Sequence, residues 1–488
     1  KSNLAALNAL SVANKLRSIL LDDGRGTLPT LPFVNSDSTL RLGSTVDSLW
    51  GIMGYAFSKY RIQPVRISDV RFRYATRPAL PSVGAANVRV ASFNVLNYFN
   101  GNGTGGGFPT ERGAHSAAEF TRQRDKIISA IAAINADVVG LIEIENDGTG
   151  VNSAIQDLVN GVNAVMGTGT YSIVNDGAAK QTYGTDAIRC GIIYKTATVT
   201  ASGAALLSPN TVFNRPPLAQ VFKVNATDSV FSFVINHFKS KGCSGSSGAD
   251  ADQADGQSCY NQTRKLQAGE LVNFIRTIVI PAAGSAHVLS MGDYNAYFEE
   301  DPLDSIRAMG YTVLSEAKHY SYLFSGLVGS LDNAFVSTSL LPSVTGVAKW
   351  NINAAEPTHL GYDDLKDDGG SDFSNPWAGS YTPTPFRSSD HDPVIVGLNL
   401  AKKTGIAPLT QDGLSLYPNP ATGQIMLQYG QAGTVQLYNA LGQQVSRIRL
   451  EEGIPVQAID ISRLAPGVYW MKLDDAAGNR YIRQFICR

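Results

Sequence analysis

Apolar positions change their spacing along the chain. Within residues 1–75 they come in short alternating runs at Thr39–Leu42, Ser48–Tyr55 and Tyr60–Val65. Period-two alternation between glycine turns predicts strands of a small β-module. The Pro/Gly/Ala-rich residues 76–87 read as a linker. Between 88 and 400 the texture becomes continuous apolar runs separated by helical stretches. VRVASFNVL, ADVVGLIEI, RCGIIYK, VFSFVINHF, HVLSMGDYN and DPVIVGLNL predict buried strands. Ala117–Ile134 has apolar residues three and four apart, which predicts an amphipathic helix. Strands alternating with helices predict an α/β or α+β enzyme domain here. Residues 401–412 read as a second linker. Residues 413–488 are all-β in texture, with turn signals at Tyr417–Pro420, Ala440–Gly442 and Ala476–Asn479.

The 488 residues suffice for about three domains. Hydrophobic residues make up 43%, so a sizeable core is available and disorder over most of the length is excluded. Only 17% are charged, with 40 Lys+Arg against 41 Asp+Glu. A strongly basic nucleic-acid clamp is therefore excluded, and phosphate handling needs local cations or metal ions. No apolar run is long enough to span a membrane as a helix. The opening KSNLAALNAL lacks a signal-peptide layout, so the chain reads as a mature or truncated product.

Cys243 and Cys259 bracket the Gly/Ser/Asp-rich SGSSGADADQADGQS. A disulfide between them would pin that loop and contribute roughly 3 kcal/mol. It would also imply an oxidising compartment. The alternative is two free thiols, one near an active site. Cys190 and Cys487 have no assigned role.

The central segment places metal-capable side chains at the ends of apolar strands, where an unpaired carboxylate is costly. Asn94 ends VRVASFN, Glu143 lies in DVVGLIEIEN, and His237 ends FSFVINH. Asp293 and Asn295 lie in MGDYNA, Asp332 in GSLDNAFVS, and Asp390 and His391 in SSDHDPV. Singly, each is as well explained by a cap, a turn or a core histidine. In this order they resemble the endonuclease/exonuclease/phosphatase superfamily, the fold of pancreatic deoxyribonuclease.

The resemblance extends to large secreted bacterial nucleases of the ExeM type. It rests on FNVLNYFN, RGAHSAAEFTRQRDKI, ADVVGLIEIENDG, YGTDAIRCGIIYK, NHFKSKGC, GDYNAYFEEDPL, SYLFSGLVGSLDNAF, WNINAAEP and RSSDHDPV, across residues 90–397. The Cys243–Cys259 loop sits where those enzymes carry a Cys-flanked insertion. Residues 19–65 resemble their upstream oligonucleotide-binding-like (OB-like) module, with its first strands missing. Three positions depart from the pattern. Asn333 replaces a His in the LDHA-like string, Cys190 replaces an aliphatic, and Leu96 stands where some members place a metal-binding Asp. The last weakens the case for a second metal site.

The resemblance implies a four-layer α/β sandwich over 88–400, with small all-β domains at both ends. It implies a hard divalent cation, Mg²⁺ with Mn²⁺ or Ca²⁺ as alternatives, held by Glu143 with Asn94 and Asp390. Asp293 and Asn295 would contact the scissile phosphate and the attacking water. His391 would act as general base or polarise the phosphate, oriented by Asp332. His237 would stabilise phosphoryl charge or protonate the leaving oxygen. Arg122, Lys126, Lys239 and Lys241 offer contacts to flanking phosphates, or a solvated surface. Asp186 offers a positioning role near substrate. Asp250, Asp252 and Asp255 miss a calcium-loop spacing by one residue and read as a flexible polar loop, as does the acidic run at 363–372. Tyr320 and Tyr322 fit either stacking on a base or sugar, or core packing.

LSLYPNPATGQ, VQLYNALGQQV and LAPGVYWMKL resemble the C-terminal sorting domain of type IX secretion, over 413–488. That implies export across the outer membrane and the secretion machinery as a partner. The leading expectation is a secreted, metal-dependent, largely nonspecific DNA endonuclease, and the sequence leaves open whether RNA is also cut. One alternative is a phosphomonoesterase or phospholipase-C-like enzyme on the same fold. Another is a catalytically inactive surface adhesin or nucleic-acid-binding protein.

Overall fold

The computed structural model describes residues 3–24, 33–175, 184–316, 318–363, 381–401, 414–475 and 478–488. The chain divides into two compact units, Lys1–Lys402 and Lys403–Arg488.

The first unit is built on two six-stranded sheets. Across one lie, in order, Val344–Lys349, Val394–Leu398, Val88–Tyr98, Val138–Glu145, Ile188–Lys195 and Tyr171–Ile173. Across the other lie Val199–Leu207, Leu218–Val224, Val230–His237, Val288–Asp293, Asp332–Val336 and Thr312–Val313. Each sheet has one parallel pair at its centre, flanked by antiparallel neighbours. These pairs are Val88–Tyr98 with Val138–Glu145, and Val230–His237 with Val288–Asp293. Parallel pairs put equivalent strand ends side by side, and ligands bind off their carboxyl ends.

Period-two geometry sorts the side chains into layers. Val88, Val90, Val138 and Ile142 pack with Phe231, Phe233, Ile235 and Leu289 between the sheets. Ala91, Phe93, Val139 and Leu141 face the helices Ala117–Ile134 and Ala154–Met166. Val234 and Val288 face Asn261–Phe274 and Asp301–Ala308. Both faces of the central strands are thus covered, which is why their sequences are continuously apolar. The predicted helix at Ala117–Ile134 is present. Its Ser116 hydroxyl accepts from the Glu119 amide at 3.1 Å, and the Glu119 carboxylate accepts from the His115 amide at 2.6 Å.

The sheets approach closely at Gly140. A Cβ there would lie 2.6 Å from Ile235 Cδ1 and 2.9 Å from the Phe233 ring. Gly140→Val is therefore expected to lower stability by roughly 1–3 kcal/mol through overpacking, measured by chemical denaturation. An unchanged denaturation midpoint would contradict that packing.

The amino-terminal segment differs from the expected run of strands. Leu4–Arg17 is an α-helix, favoured by its Ala/Leu content and by Lys15 and Arg17 in the last turn. Thr39–Leu42 is not a strand. Its polar members are the buried ones: the Thr39 hydroxyl donates to Glu356 at 2.7 Å, and Arg41 pairs with the same carboxylate. Leu42 is exposed instead. A buried carboxylate has overridden the alternation, because an unpaired charge there costs more than one exposed leucine. Strands do form at Thr45–Leu49, Ile52–Ala56 and Lys59–Gln63. The Pro/Gly/Ala stretch lies against the first sheet: Trp350 donates its indole N–H to the Pro78 carbonyl, and Val83 is buried.

The second unit is a seven-stranded sheet in the order Gln444–Leu450, Gly433–Tyr438, Gly467–Asp475, Arg480–Cys487, Ser415–Thr422, Gln424–Gln428, Val456–Asp460. Its core includes Ile425, Leu427, Val435, Leu437, Met471, Leu473 and Phe485. Cys487 is buried in the same cluster, which gives it a packing role.

Candidate active site

Both central parallel pairs end on polar residues. Strand Val88–Tyr98 carries Asn94, and Val138–Glu145 carries Glu143. In the other sheet His237 and Asp293 are register partners at the strand ends. The two pairs converge: His237 Nε2 lies 3.6 Å from Asp293 Oδ2 and 3.9 Å from Glu143 Oε1.

The first sheet is irregular at this point. Its register shifts between Asn94 and Tyr98, and again between Leu141 and Ile144. Leu96, Asn97 and Glu143 have φ of 54°, 51° and 64°. Bulges of this kind re-aim side chains at strand ends, and left-handed conformations at non-glycine residues store strain. Here they turn Glu143 into the cleft. Asn94 Nδ2 donates to Glu143 Oε1 at 2.9 Å, and the Asn97 amide donates to Oε2 at 3.2 Å. Asn94 Oδ1 accepts from the Leu96 amide at 3.0 Å. In this orientation Asn94 aims Glu143 and keeps its own oxygen for the backbone.

His391 lies on the loop before strand Val394–Leu398. Its Nδ1 is 2.7 Å from Asp332 Oδ2, and its Nε2 is 3.8 Å from Asp293 Oδ2. With the Nδ1 proton given to Asp332, Nε2 faces the cleft. Asp332 is held in turn. The Ser321 hydroxyl donates to Oδ2 at 2.7 Å, and the buried Lys349 ammonium donates to the Asp332 carbonyl at 2.5 Å and to the Ser330 hydroxyl. Asp392 fixes the backbone around His391. It accepts from Asn351 Nδ2 at 2.8 Å and from the Asn353 amide at 2.7 Å, while Asn353 Nδ2 donates to the His391 carbonyl.

The environment separates the protonation states. Burial alone would lower His391, but Asp332, Asp390 and Asp293 outweigh it and hold the imidazole well above its ordinary value. Burial, reinforced by Arg215 and by His391, holds His237 well below its own. His391 is therefore cationic and His237 neutral near pH 7. Burial pushes the Asp293 carboxyl up to about 7 against the pull of His391. Burial first, and then the Asp390 carboxylate, raise Glu143. A bound cation relieves that kind of repulsion between carboxylates. Two groups have ligand atoms within 4.8 Å of one another: Glu143, His237 and Asp293, and Asp293, Asp332 and His391. The donor set thus suits a divalent metal.

Glu143, His237, Asp293, Asn295, Asp390 and His391 all line one cleft of about 800 Å³. Asn295 is oriented by donating to the Phe238 carbonyl at 3.1 Å. The softer candidates divide. Lys241 reaches the cleft but is locked to Glu300 at 2.6 Å and to the Gln257 carbonyl at 2.8 Å. Lys239 lies over the Tyr260 ring, with Nζ 4.4 Å from its centroid. Arg122 donates Nε to the Tyr362 carbonyl, and Lys126 is buried against the Phe386 carbonyl. Asp186 holds two arginines, Arg112 at 3.0 Å and Arg215 at 3.4 Å. Both arginines line the cleft. Sequence reading missed Arg112, Arg215 and Lys349, because a single cation in a loop or strand carries no spacing signal.

Cys243 and Cys259 form a disulfide with a Cα–Cα distance of 5.1 Å, and Cys243 lines the cleft. Asp250, Asp252 and Asp255 are used locally. They accept from the Thr263, Ala254 and Gln257 amides respectively. Most of the acidic run 363–372 lies outside the described residues.

Residues 415–488 match the family model for a secretion system C-terminal sorting domain. The chain carries a type IX sorting domain, which marks it as secreted or held at the cell surface. No curated protein matches the chain. Three similar solved structures illustrate its likenesses. An endonuclease/exonuclease/phosphatase from Bacteroides vulgatus is 17% identical, with 64% of this chain and 98% of that one covered and a TM-score of 0.41. D. rerio TDP2 complexed with a single-strand DNA product is 16% identical, covers 64% and 98%, and scores 0.38. The Bacteroides thetaiotaomicron mannosyl-6-phosphatase Bt3783 is 14% identical, covers 64% and 99%, and scores 0.35. Among the described residues no helix is long and apolar enough to cross a membrane.

Proposed function

We propose that this protein is a secreted, metal-dependent phosphodiesterase that hydrolyses DNA as a largely nonspecific endonuclease. On this reading residues 88–400 are a deoxyribonuclease-like four-layer α/β sandwich, residues 1–75 a partial OB-like module, and residues 413–488 the sorting domain. One observation carries the proposal. The cationic His391 and the raised carboxyl of Asp293 face Glu143 and Asp390 in a cleft also lined by Arg112 and Arg215. Carboxylates for a hard cation, a proton acceptor and fixed positive charge are the parts phosphoryl transfer needs.

Glu143 and Asp390 would hold the divalent cation, Mg²⁺ before Mn²⁺ or Ca²⁺, with Asn94 orienting Glu143. The bound cation supplies charge neutralisation at the phosphoryl oxygens. Asp293, titrating near pH 7, takes the proton of the attacking water, with Asn295 beside it to position that water. His391, kept cationic by Asp332, sets its charge against a phosphoryl oxygen. His237 is a hydrogen-bond donor to the leaving oxygen as charge develops there; because a neutral imidazole is a poor proton source, that oxygen takes its proton from solvent water. Arg112 and Arg215 take flanking phosphates, in place of Arg122, Lys239 and Lys241. Contacts to phosphate carry no sequence information, so cleavage is nonspecific.

The test is incubation with supercoiled plasmid in Mg²⁺. Nicking that EDTA abolishes and Mg²⁺ restores is expected. Well-folded protein that leaves plasmid intact but releases phosphate from small monoesters would replace this reading with a phosphomonoesterase. Plasmid binding without turnover in Mg²⁺ or Mn²⁺ would replace it with an inactive binding protein.

A further inference from the structure

The cleft has a second character that phosphate chemistry leaves unused. Tyr322, Phe324, Leu327 and Leu331 line it beside His391 and Glu143. Tyr322–Phe324 and Leu327–Gly329 form an antiparallel hairpin. Its turn residues, Ser325 and Gly326, have φ of 50° and 80°, as a tight two-residue turn requires. Phe324 and Leu327 pair across the strands next to that turn and are 63% and 65% exposed. Two large apolar side chains held out at a polar cleft are an unsatisfied surface.

The hairpin is anchored to the reactive groups at both ends. Ser321, just before it, donates to Asp332, and Leu331 and Asp332 follow it after Ser330 alone. The Tyr322 ring lies on the His391 imidazole, with centroids 4.5 Å apart and planes inclined by 33°. Tyr297 packs on its backbone so closely that a Cβ on Gly329 would lie 2.2 Å from that ring. The apolar tip is therefore presented at a fixed distance from His391. The same cleft is lined by Arg112 and Arg215, which Asp186 holds in place and whose two positive charges exceed its one negative charge. Its ligand must combine a phosphodiester with a flat apolar face. A nucleotide does so, but base pairing and stacking hide that face within a duplex.

We propose that the Tyr322–Gly329 hairpin is a nucleobase-stacking wedge, so that the enzyme prefers unpaired nucleotides to paired ones. This rests on the phosphodiesterase reading above and narrows its substrate to single-stranded or locally unpaired DNA. Phe324 and Leu327 grip the base while the arginines hold the adjacent phosphates.

The test compares a single-stranded oligonucleotide with the same strand in a duplex, in Mg²⁺. Wild type is expected to favour the single strand by about tenfold or more in kcat/KM. Phe324→Ala/Leu327→Ala should remove most of that preference by selective loss on the single strand, and Phe324→Trp should keep it. Equal cutting of both forms by wild type, or equal loss on both by the double variant, overturns the proposal. Binding is read separately with a single strand carrying 2-aminopurine, whose emission is quenched by stacking. Quenching is expected with His391→Ala protein and not when Phe324→Ala/Leu327→Ala is added. Cosedimentation with phosphatidylcholine/phosphatidylserine vesicles that depends on Phe324 and Leu327, without quenching, overturns it in favour of a lipid surface. Wild type that quenches 2-aminopurine but cuts neither form sinks the phosphodiesterase reading and leaves the wedge standing.

Discussion

His391→Ala is expected to lower plasmid nicking by about 10²–10⁴-fold, the range for losing a positioned acid–base or charge-stabilising group. Far-UV circular dichroism should be retained, since the surrounding loop is held independently by Asp392 through Asn351 and Asn353. The pH profile then separates the roles of its neighbours. Asp293 must be ionised to accept a proton, so the wild-type rate should rise through pH 7, where that carboxyl titrates. His391 must be cationic, and its raised value places the alkaline fall well above its ordinary range. Asp332→Asn removes the nearest charge that raises His391, so the alkaline limb should move to lower pH while the acid limb moves less. An unmoved alkaline limb would show that Asp332 does not act through His391. More than a tenth of wild-type activity in His391→Ala would remove His391 from the chemistry.

Glu143→Gln is expected to have a comparable effect for a different reason. The substitution keeps shape and loses the charge that a hard cation needs, at a cost of several kcal/mol in transition-state stabilisation. By the usual conversion this is about 10²–10⁴-fold in rate. Direct titration with Mn²⁺ should show the loss of affinity without any assay of turnover. Asn94→Ala should cost less, about 10–100-fold in metal affinity, because its amide aims Glu143. An Asn94 effect as large as that of Glu143 would mean that the Asn94 oxygen leaves the Leu96 amide to bind the metal. Unchanged Mn²⁺ affinity in Glu143→Gln would move the cation site to the other cluster, Asp293 with Asp332 and His391.

The central strands were legible because both of their faces are buried, which leaves uninterrupted apolar runs. The polar residues ending those runs stood out against that background, and Glu143, His237, Asp293, Asn295, Asp390 and His391 do share one cleft. The amino-terminal segment was less legible. The alternation at Thr39–Leu42 pointed to a strand, but Glu356, more than 300 residues away in sequence, draws Thr39 and Arg41 inward. Arg122 and Lys126 looked like phosphate contacts from their place in a polar block. Their partners are the carbonyls of Tyr362 and Phe386, each supplied by a distant segment.

The sequence by itself determined which residues are strand ends, which of them bear carboxylate or imidazole, and that two cysteines bracket one loop. These are local properties, set by spacing and side-chain chemistry within a few residues. Only the tertiary structure decided how the groups differ from one another. Folding sets His391 among three carboxylates and His237 beside Arg215, so two histidines of equal intrinsic basicity take opposite charge states. It also decided that Arg112 and Arg215 reach the cleft, that Lys241 reaches it already paired with Glu300, and that a hairpin holds Phe324 and Leu327 beside it. Electrostatic and packing energies depend on distances through space between residues far apart in the chain, and those distances exist only once the two sheets have packed.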